Sequence, residues 1–314
     1  MTDLTAAASQ LKQNMAKAVV GRDDVVELLL IALLSGGHVL IEDVPGVGKT
    51  TLASALARSL ACSFARIQFT PDITPSDIIG FSMPNANGEL CYRPGAVMRQ
   101  IILADEINRT SPKTQAALLE VMEERQATVD GVTHPLPAPF MVLATQNPVD
   151  FAGTYPLPEA QVDRFLMRIS LGYPTARDEA EILLRCCGPD QPMESLSAVC
   201  TAEDILALQT QVRSVYLSYE IRSYIVSLCE ATRKSPLLSL GVSTRGGIAL
   251  CRACQARALL YGRDYVIPED VQALAQNVLA HRLTLSSEAR LHGRKAQEIL
   301  AALLSSVRIP VRAR

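Results

Sequence analysis

A chain of 314 residues with 48% hydrophobic and 20% charged side chains has the make-up of ordinary globular material, enough for two domains or one large and one small. Its net charge of −2 argues against a surface that wraps nucleic acid, and no apolar run approaches the ~20 residues of a membrane span. Met1-Thr-Asp-Leu4 has neither the basic start nor the apolar core of a secretory leader, so a cytoplasmic location is expected.

Residues 2–35 read as helices separated by a turn at Val19-Val20-Gly21-Arg22, with Leu28, Leu29, Ala32 and Leu33 at helical spacing. Gly36-Gly37 stops that run, and Val39 to Ile41 is a short apolar strand. The turn that follows, Asp43-Val44-Pro45-Gly46-Val47-Gly48, leads into Lys49-Thr50-Thr51 and a helical pattern with Leu52, Leu56 and Leu60 on one face. Strand, glycine-rich turn and helix start in that order make a phosphate-binding loop. The first helical turn offers unpaired N–H groups and a positive dipole end to an anion. Gly46 and Gly48 admit phosphate oxygens close to the backbone, Lys49 adds a point charge, and Thr50 offers a hydroxyl to Mg2+. The generic pattern has glycine where this chain has Asp43.

A strand is expected over 65–70, ended by Pro71 and Pro75. Asn87-Gly88 is a hairpin turn signal, and an apolar helix-to-strand passage after Gly95 leads to Ile101-Ile102-Leu103-Ala104. That strand delivers Asp105 and Glu106 at its C-terminal end, where open α/β sheets bind ligands. A helix follows from Ser111-Pro112 to about Arg125, then a second hairpin around Asp130-Gly131. The strand over 140–145 ends at Gln146-Asn147-Pro148. A short helix near Pro158 is expected to contain Arg164, and 165–171 is the last expected strand.

From Ala176 onward only helices are expected, over 179–185, 202–215, 219–231, 245–261 and 268–281, with the tail 308–314 frayed. The chain therefore divides into an α/β domain, 1–173, and an all-α domain, 174–314. The eight cysteines form no framework, and Cys251-Arg-Ala-Cys254, inside a helical pattern with no second pair at zinc-ribbon spacing, reads as core thiols on one helix face rather than as a metal site.

Lys49-Thr50, Asp105-Glu106 and Asn147 each end a parallel strand, and together they read as a nucleotide-hydrolysis site. In that reading Asp105 holds Mg2+ with Thr50, Glu106 polarises the attacking water, and Asn147 orients that water or reads the γ-phosphate. Longer motifs carry a resemblance. Residues 37–50, Ala104-Asp-Glu-Ile-Asn-Arg109, 113–120, Met122-Glu-Glu-Arg-Gln126, Ala144-Thr-Gln-Asn-Pro148, 153–161 and Asp163-Arg-Phe165 are similar to the MoxR-type AAA+ ATPases over nearly the whole chain. That family commonly has Glu-Asp or Glu-Gly before Val-Pro-Gly, which Glu42-Asp43 fits. The resemblance implies an AAA+ P-loop core followed by a small lid, with ATP and Mg2+ bound through Pro45, Gly46, Val47, Gly48, Lys49, Thr50 and Thr51 and adenine cupped by Val20 and Gly21. Position 22, often glutamine in the family, is Arg22 here.

The resemblance further implies that Arg164 is an arginine finger acting on a neighbouring subunit. Arg245, in Gly241-Val-Ser-Thr-Arg245, is implied as the sensor-2 arginine, brought by the lid onto the same subunit's nucleotide. It implies a homo-oligomeric ring, hexameric in the family's pattern, a remodelling chaperone's role in assembly, metal-cofactor insertion or activation, and a separate partner with a von Willebrand factor A (VWA) domain. Two other motors share these features, a metal-chelatase subunit and a nucleic-acid remodeller. A nucleotide-gated scaffold is a third alternative, against which the Glu106, Asn147 and Arg164 set argues. Between Ala127 and Pro139 the second hairpin has no Lys or Arg, which disfavours nucleic acid.

Overall fold

The computed structural model describes residues 2–147, 153–187 and 192–310, the side chains of 2–6 excepted. Two helices come first, α1 (Thr2–Ala16) and α2 (Asp23–Leu34). Strand β1 (Val39–Glu42) and helix α3 (Lys49–Ser59) flank the phosphate loop, and β2 (Phe64–Gln68) follows. A short helix α4 (Pro75–Ile79) leads into a hairpin of β3 (Gly80–Pro84) and β4 (Leu90–Pro94). Next come β5 (Ile101–Asp105), α5 (Pro112–Glu124), a second hairpin of β6 (Gln126–Val129) and β7 (Val132–Pro135), and β8 (Met141–Gln146). Helix α6 (Glu159–Val162) and β9 (Met167–Ile169) close the α/β part.

Five strands form one parallel sheet in the order β2-β5-β8-β1-β9. Its central strands are buried on both sides and alternate strictly. Val39, Ile41, Ile101, Leu103, Met141 and Leu143 pack toward α2 and α3, joining Leu29, Leu33, Leu52 and Leu56. Leu40, Ile102, Ala104, Val142 and Ala144 face the other way, joining Leu118, Leu119 and Met122 of α5 and Phe165. Because the sheet is parallel, every carboxyl end opens on one edge and every amino end on the opposite edge, about 13 Å apart along the four residues of β1.

The second part holds α7 (Ala176–Cys186), α8 (Ala202–Val212), α9 (Tyr219–Lys234), β10 (Leu238–Leu240), α10 (Thr244–Leu260), α11 (Pro268–Leu279), β11 (Thr284–Leu285), α12 (Ser287–Leu291) and α13 (Ala296–Ser306). It is a helical lid, except that β10 and β11 pair as a small antiparallel ribbon, which helical periodicity alone did not anticipate. The expected boundary at 172–174 falls between β9 and α7. The hydrophobic core is continuous across it: Ala249, Ala253 and Ala256 of α10 are buried and join the cluster that contains α1 and α2. Small side chains there let α10 lie close to its neighbours. Cys254 is fully buried and Cys251 partly so; all eight cysteines are free, and burial raises the Cys254 thiol well above its ordinary value.

Other boundaries also differ from expectation. Helix α3 begins at Lys49 rather than Thr51 because left-handed Gly48 serves as its N-cap. Residues 95–100 form no helix, since Ala96 and Val97 donate their N–H groups to the carbonyls of Asp77 and Ile78. Arg164 lies past the end of α6, and β9 is shorter than 165–171, because Asp163 to Leu166 are gripped by side chains of the lid.

His38, just before β1, is a buried hinge pin of the core. The Val142 N–H donates to its Nδ1 at 3.0 Å, so Nε2 carries the proton and donates to the Met122 carbonyl at 3.0 Å. Burial, aided by the Arg125 charge, pushes its pKa down from 6.5 to about 4. In the unfolded chain His38 takes up a proton near pH 6.5, but in the folded chain it does so only near pH 4. Stability therefore falls as pH drops through this window, by about 3 kcal/mol from this residue. Denaturant midpoints from pH 7 to 4 should fall more steeply for the native protein than for His38→Asn; equal slopes would contradict this.

Candidate functional site

The phosphate loop and three strand ends converge on the carboxyl edge of the sheet. Gly46 and Gly48 hold φ of +85° and +92°, and a Cβ built on either meets nothing within 4 Å. Their glycine requirement thus comes from backbone conformation, and the space above them is open to a ligand. Gly48 has no capping side chain, which leaves the first N–H groups of α3 for an anion. Lys49 donates to the Asp43 carbonyl at 3.0 Å, so its amine is folded back over the loop. Pro45, Val47, Thr50 and Thr51 complete the same turn, all exposed or half-buried.

Asp43, the residue that departs from the generic loop pattern, is buried and fastens the loop's stem. Its Oδ2 accepts from Leu171 N–H at 2.5 Å, Gly172 N–H at 2.8 Å and Ser170 Oγ at 3.1 Å, and its Oδ1 accepts from Val44 N–H at 3.0 Å. A carboxylate held by several backbone N–H groups is a strong anchor. Arg22 reaches the same segment, donating to the Gly172 carbonyl at 2.8 Å. Gly21, with φ +66°, packs so closely that a Cβ would lie 2.3 Å from the Asp178 carboxyl carbon. Residues 170–172 therefore tie the Val20-Gly21 turn to the loop, and Arg22 is a strut in that tie.

Asp105 and Glu106 end β5. The Thr145 hydroxyl donates to Asp105 Oδ1 at 2.6 Å and accepts from the Glu106 N–H at 2.8 Å, so one side chain of β8 fixes both. Arg66 of β2 donates to Asp105 Oδ2 from Nη2 at 2.7 Å and from Nε at 3.2 Å. Glu106 sits at φ +58°, a costly left-handed conformation for a non-glycine residue that turns its side chain away from the strand direction. Gln68 Nε2 donates to its Oε2 at 3.1 Å, and Arg109 Nε is 3.2 Å from the same oxygen. Asn147 stands one residue beyond β8, beside Gln146, whose carbonyl accepts from the Asp43 N–H at 3.2 Å. Pro148 lies outside the described residues.

The predicted arginines are elsewhere. Arg164 precedes β9 and so belongs to the amino edge of the sheet, with Gly37 and His38: the Leu166 N–H donates to the His38 carbonyl at 2.9 Å. Arg245, at the start of α10, meets it there. Both engage Glu123 of α5, Arg164 Nε at 3.0 Å from Oε2 and Arg245 Nη2 at 2.6 Å from Oε1. They line a cavity of about 470 Å³ with Gly36, Gly37, Arg252 and Arg282. Arg245 was expected on its own subunit's nucleotide; in the separate chain the first turn of α10 meets Asp163 and Glu123 at the amino edge, opposite the phosphate loop.

Glu123, Arg66, Gln68, Thr145 and Arg282 were not singled out from sequence. Glu123 and Thr145 do fall inside long motifs; Arg66 and Gln68 lie on the exposed side of the strand expected over 65–70, and Arg282 stands in a run with no motif.

Comparison with known proteins places the chain in a family. Residues 38–167 match the ATPase family associated with various cellular activities (AAA), and residues 230–303 match the AAA lid domain. The chain is 42% identical over 308 residues to "Chaperone MoxR1" of Mycobacterium tuberculosis, covering 95% of this chain and 81% of the relative. It belongs to the MoxR family of AAA ATPases. Another relative, the uncharacterised YeaC of Bacillus subtilis, is 51% identical over 310 residues, covering 98% and 97% of the two chains. A crystal structure from Cytophaga hutchinsonii superposes with a TM-score of 0.91 at 38% identity, covering 98% of this chain and 96% of that one. The MoxR assignment makes ATP the natural ligand of the open glycine cradle, and the donor set fits it: free helix N–H groups, an ammonium, a threonine hydroxyl and a carboxylate.

Proposed function

We propose that this chain hydrolyses ATP between neighbouring subunits of a ring, a hexamer in the simplest form, and uses the cycle to remodel a protein client. The observation that carries this is the opposed placement of two half-sites. Lys49, Thr50, Asp105, Glu106 and Asn147 stand at one edge of the sheet, and Arg164 and Arg245 at the other. A head-to-tail contact between copies, repeated until it closes, brings one subunit's arginines to the next subunit's loop.

In that interface Lys49 and the α3 N-terminus hold the phosphates. Thr50 and Asp105 would hold Mg2+, which supplies charge neutralisation between the phosphates. Glu106 orients water and takes its proton as it attacks, and Asn147 fixes the water's position. Arg164 and Arg245 from the neighbour neutralise charge that builds on the transferred phosphoryl group. Glu123, which bridges the two guanidiniums in the separate subunit, stands where an anionic oxygen would sit.

The client-facing parts would be the two hairpins. Phe81, Met83 and Leu90 are exposed on β3–β4, and Tyr92 stacks on His134 of β7 with ring centroids 3.7 Å apart, joining the hairpins. The relative named a chaperone supports a chaperone's role, and a part in assembly, metal-cofactor insertion or activation, with a separate VWA-domain partner, is the form of that role proposed here. No helix among the described residues is long and apolar enough to cross a membrane, and a cytoplasmic setting is part of the same proposal. The β6–β7 hairpin carries Asp130 and no Lys or Arg, which tells against a nucleic-acid motor. Mass photometry of Glu106→Gln with Mg-ATP should show a closed ring; monomers under every nucleotide condition would defeat the ring reading.

A further inference from the structure

Arg282, from the short 3-10 turn after α11, is almost wholly buried at 7% exposure. A buried guanidinium is tolerated only when its donors are paired. It has five N–H donors, and five acceptors surround it. Nε donates to Asp163 Oδ1 at 2.6 Å. Nη2 donates to the Phe165 carbonyl at 2.6 Å and the Asp163 carbonyl at 3.2 Å. Nη1 donates to the Leu166 carbonyl at 3.1 Å and to the Val278 carbonyl. Its Nη1 also lies 2.8 Å from His281 Nε2, on the adjoining residue. Four of the five acceptors thus belong to the segment 163–166, on both sides of Arg164.

The same group governs Arg245. Asp163 Oδ2 accepts from the Ser243 hydroxyl at 3.3 Å, and Ser243 caps α10 by accepting from the Gly246 N–H at 3.2 Å. A Cβ on Gly246 would lie 2.8 Å from Arg282 Cδ, so the first turn of α10 rests on the arginine's stem. Arg245 is in that turn. Removing the planar fork would loosen both guanidiniums at once, although Arg282 itself is too deeply buried to reach a neighbour's nucleotide.

We infer that Arg282, through Asp163, is a positioning residue that holds Arg164 and Arg245 as one unit for the neighbouring subunit's ATP and so makes hydrolysis depend on how the lid is seated. This rests on the proposal that the two arginines act in trans. Lysine keeps the charge but offers a single three-donor head, which cannot serve a fork of five acceptors.

The test is Arg282→Lys, measured alone and in mixed rings. Alone, its kcat should fall about tenfold to a hundredfold with KM for ATP unchanged, because its own phosphate loop is intact. Mixed with Lys49→Ala subunits, which cannot hold ATP but carry intact arginines, turnover should return. A merely destabilised lid would not be rescued this way. Asp163→Asn, which keeps the side chain's shape, should behave likewise and covers the case in which Arg282→Lys does not fold. Unchanged kcat in Asp163→Asn, or a loss in it that Lys49→Ala subunits do not restore, would overturn the inference. A parallel mixture of Arg164→Ala with Lys49→Ala separates the two readings: if that mixture recovers and the Asp163 mixture does not, only the positioning role fails. If that mixture stays inactive, the trans reading fails and this inference with it.

Discussion

Glu106→Gln should bind Mg-ATP as the native protein does and lose turnover by about a hundredfold to ten-thousandfold. The amide keeps the length and the hydrogen-bond reach of the carboxylate but cannot take a proton from water. Two features make a large effect the expected one. Glu106 is held at φ +58° with its N–H on the Thr145 hydroxyl, which is itself on Asp105, so its direction is set by the backbone rather than chosen by the side chain. Its Oε2 is also already engaged by Gln68 and Arg109, which keeps the carboxylate away from solvent disorder. Single-turnover hydrolysis with radiolabelled ATP, beside a binding titration with a fluorescent analogue, separates the two properties. Turnover within twofold of native would remove Glu106 from the chemistry.

Arg164→Ala should lose turnover by about a thousandfold or more, the range reached where an arginine stabilises phosphoryl transfer. Nucleotide binding by separate subunits should be unchanged, since Arg164 stands at the amino edge of the sheet. The variant leaves Glu123 paired with Arg245 alone, so the fold loses one half-exposed ion pair and little stability. An Arg164→Ala protein with native kcat, or one whose separate subunits no longer bind ATP, would place Arg164 in a different role.

Much of the candidate site at the carboxyl edge of the sheet was legible because its pattern is local. Gly46 and Gly48 announce a left-handed loop, the apolar runs before Asp43, Glu106 and Asn147 alternate as buried strands do, and each run ends where its functional residue begins. The role of Asp43 was not legible, because its partners Ser170, Leu171 and Gly172 are brought to it only by the pairing of β1 with β9. The setting of Arg245 was not legible for a related reason. Where α10 points depends on the buried contacts of Ala249, Ala253 and Ala256, and a helical period reveals that face but not what it packs against. Arg282 stands in a run with no motif, and its importance arises wholly from three carbonyls more than a hundred residues earlier in the chain.

The claim that one active site is shared by two subunits is tested most directly by the turnover of Arg164→Ala and Lys49→Ala proteins mixed in equal amounts. Each alone should be inactive. In randomly mixed rings, about one interface in four joins an intact loop to an intact arginine pair, so about a quarter of native turnover should return. A mixture as inactive as its two components, in rings shown to have exchanged subunits, would contradict the shared site.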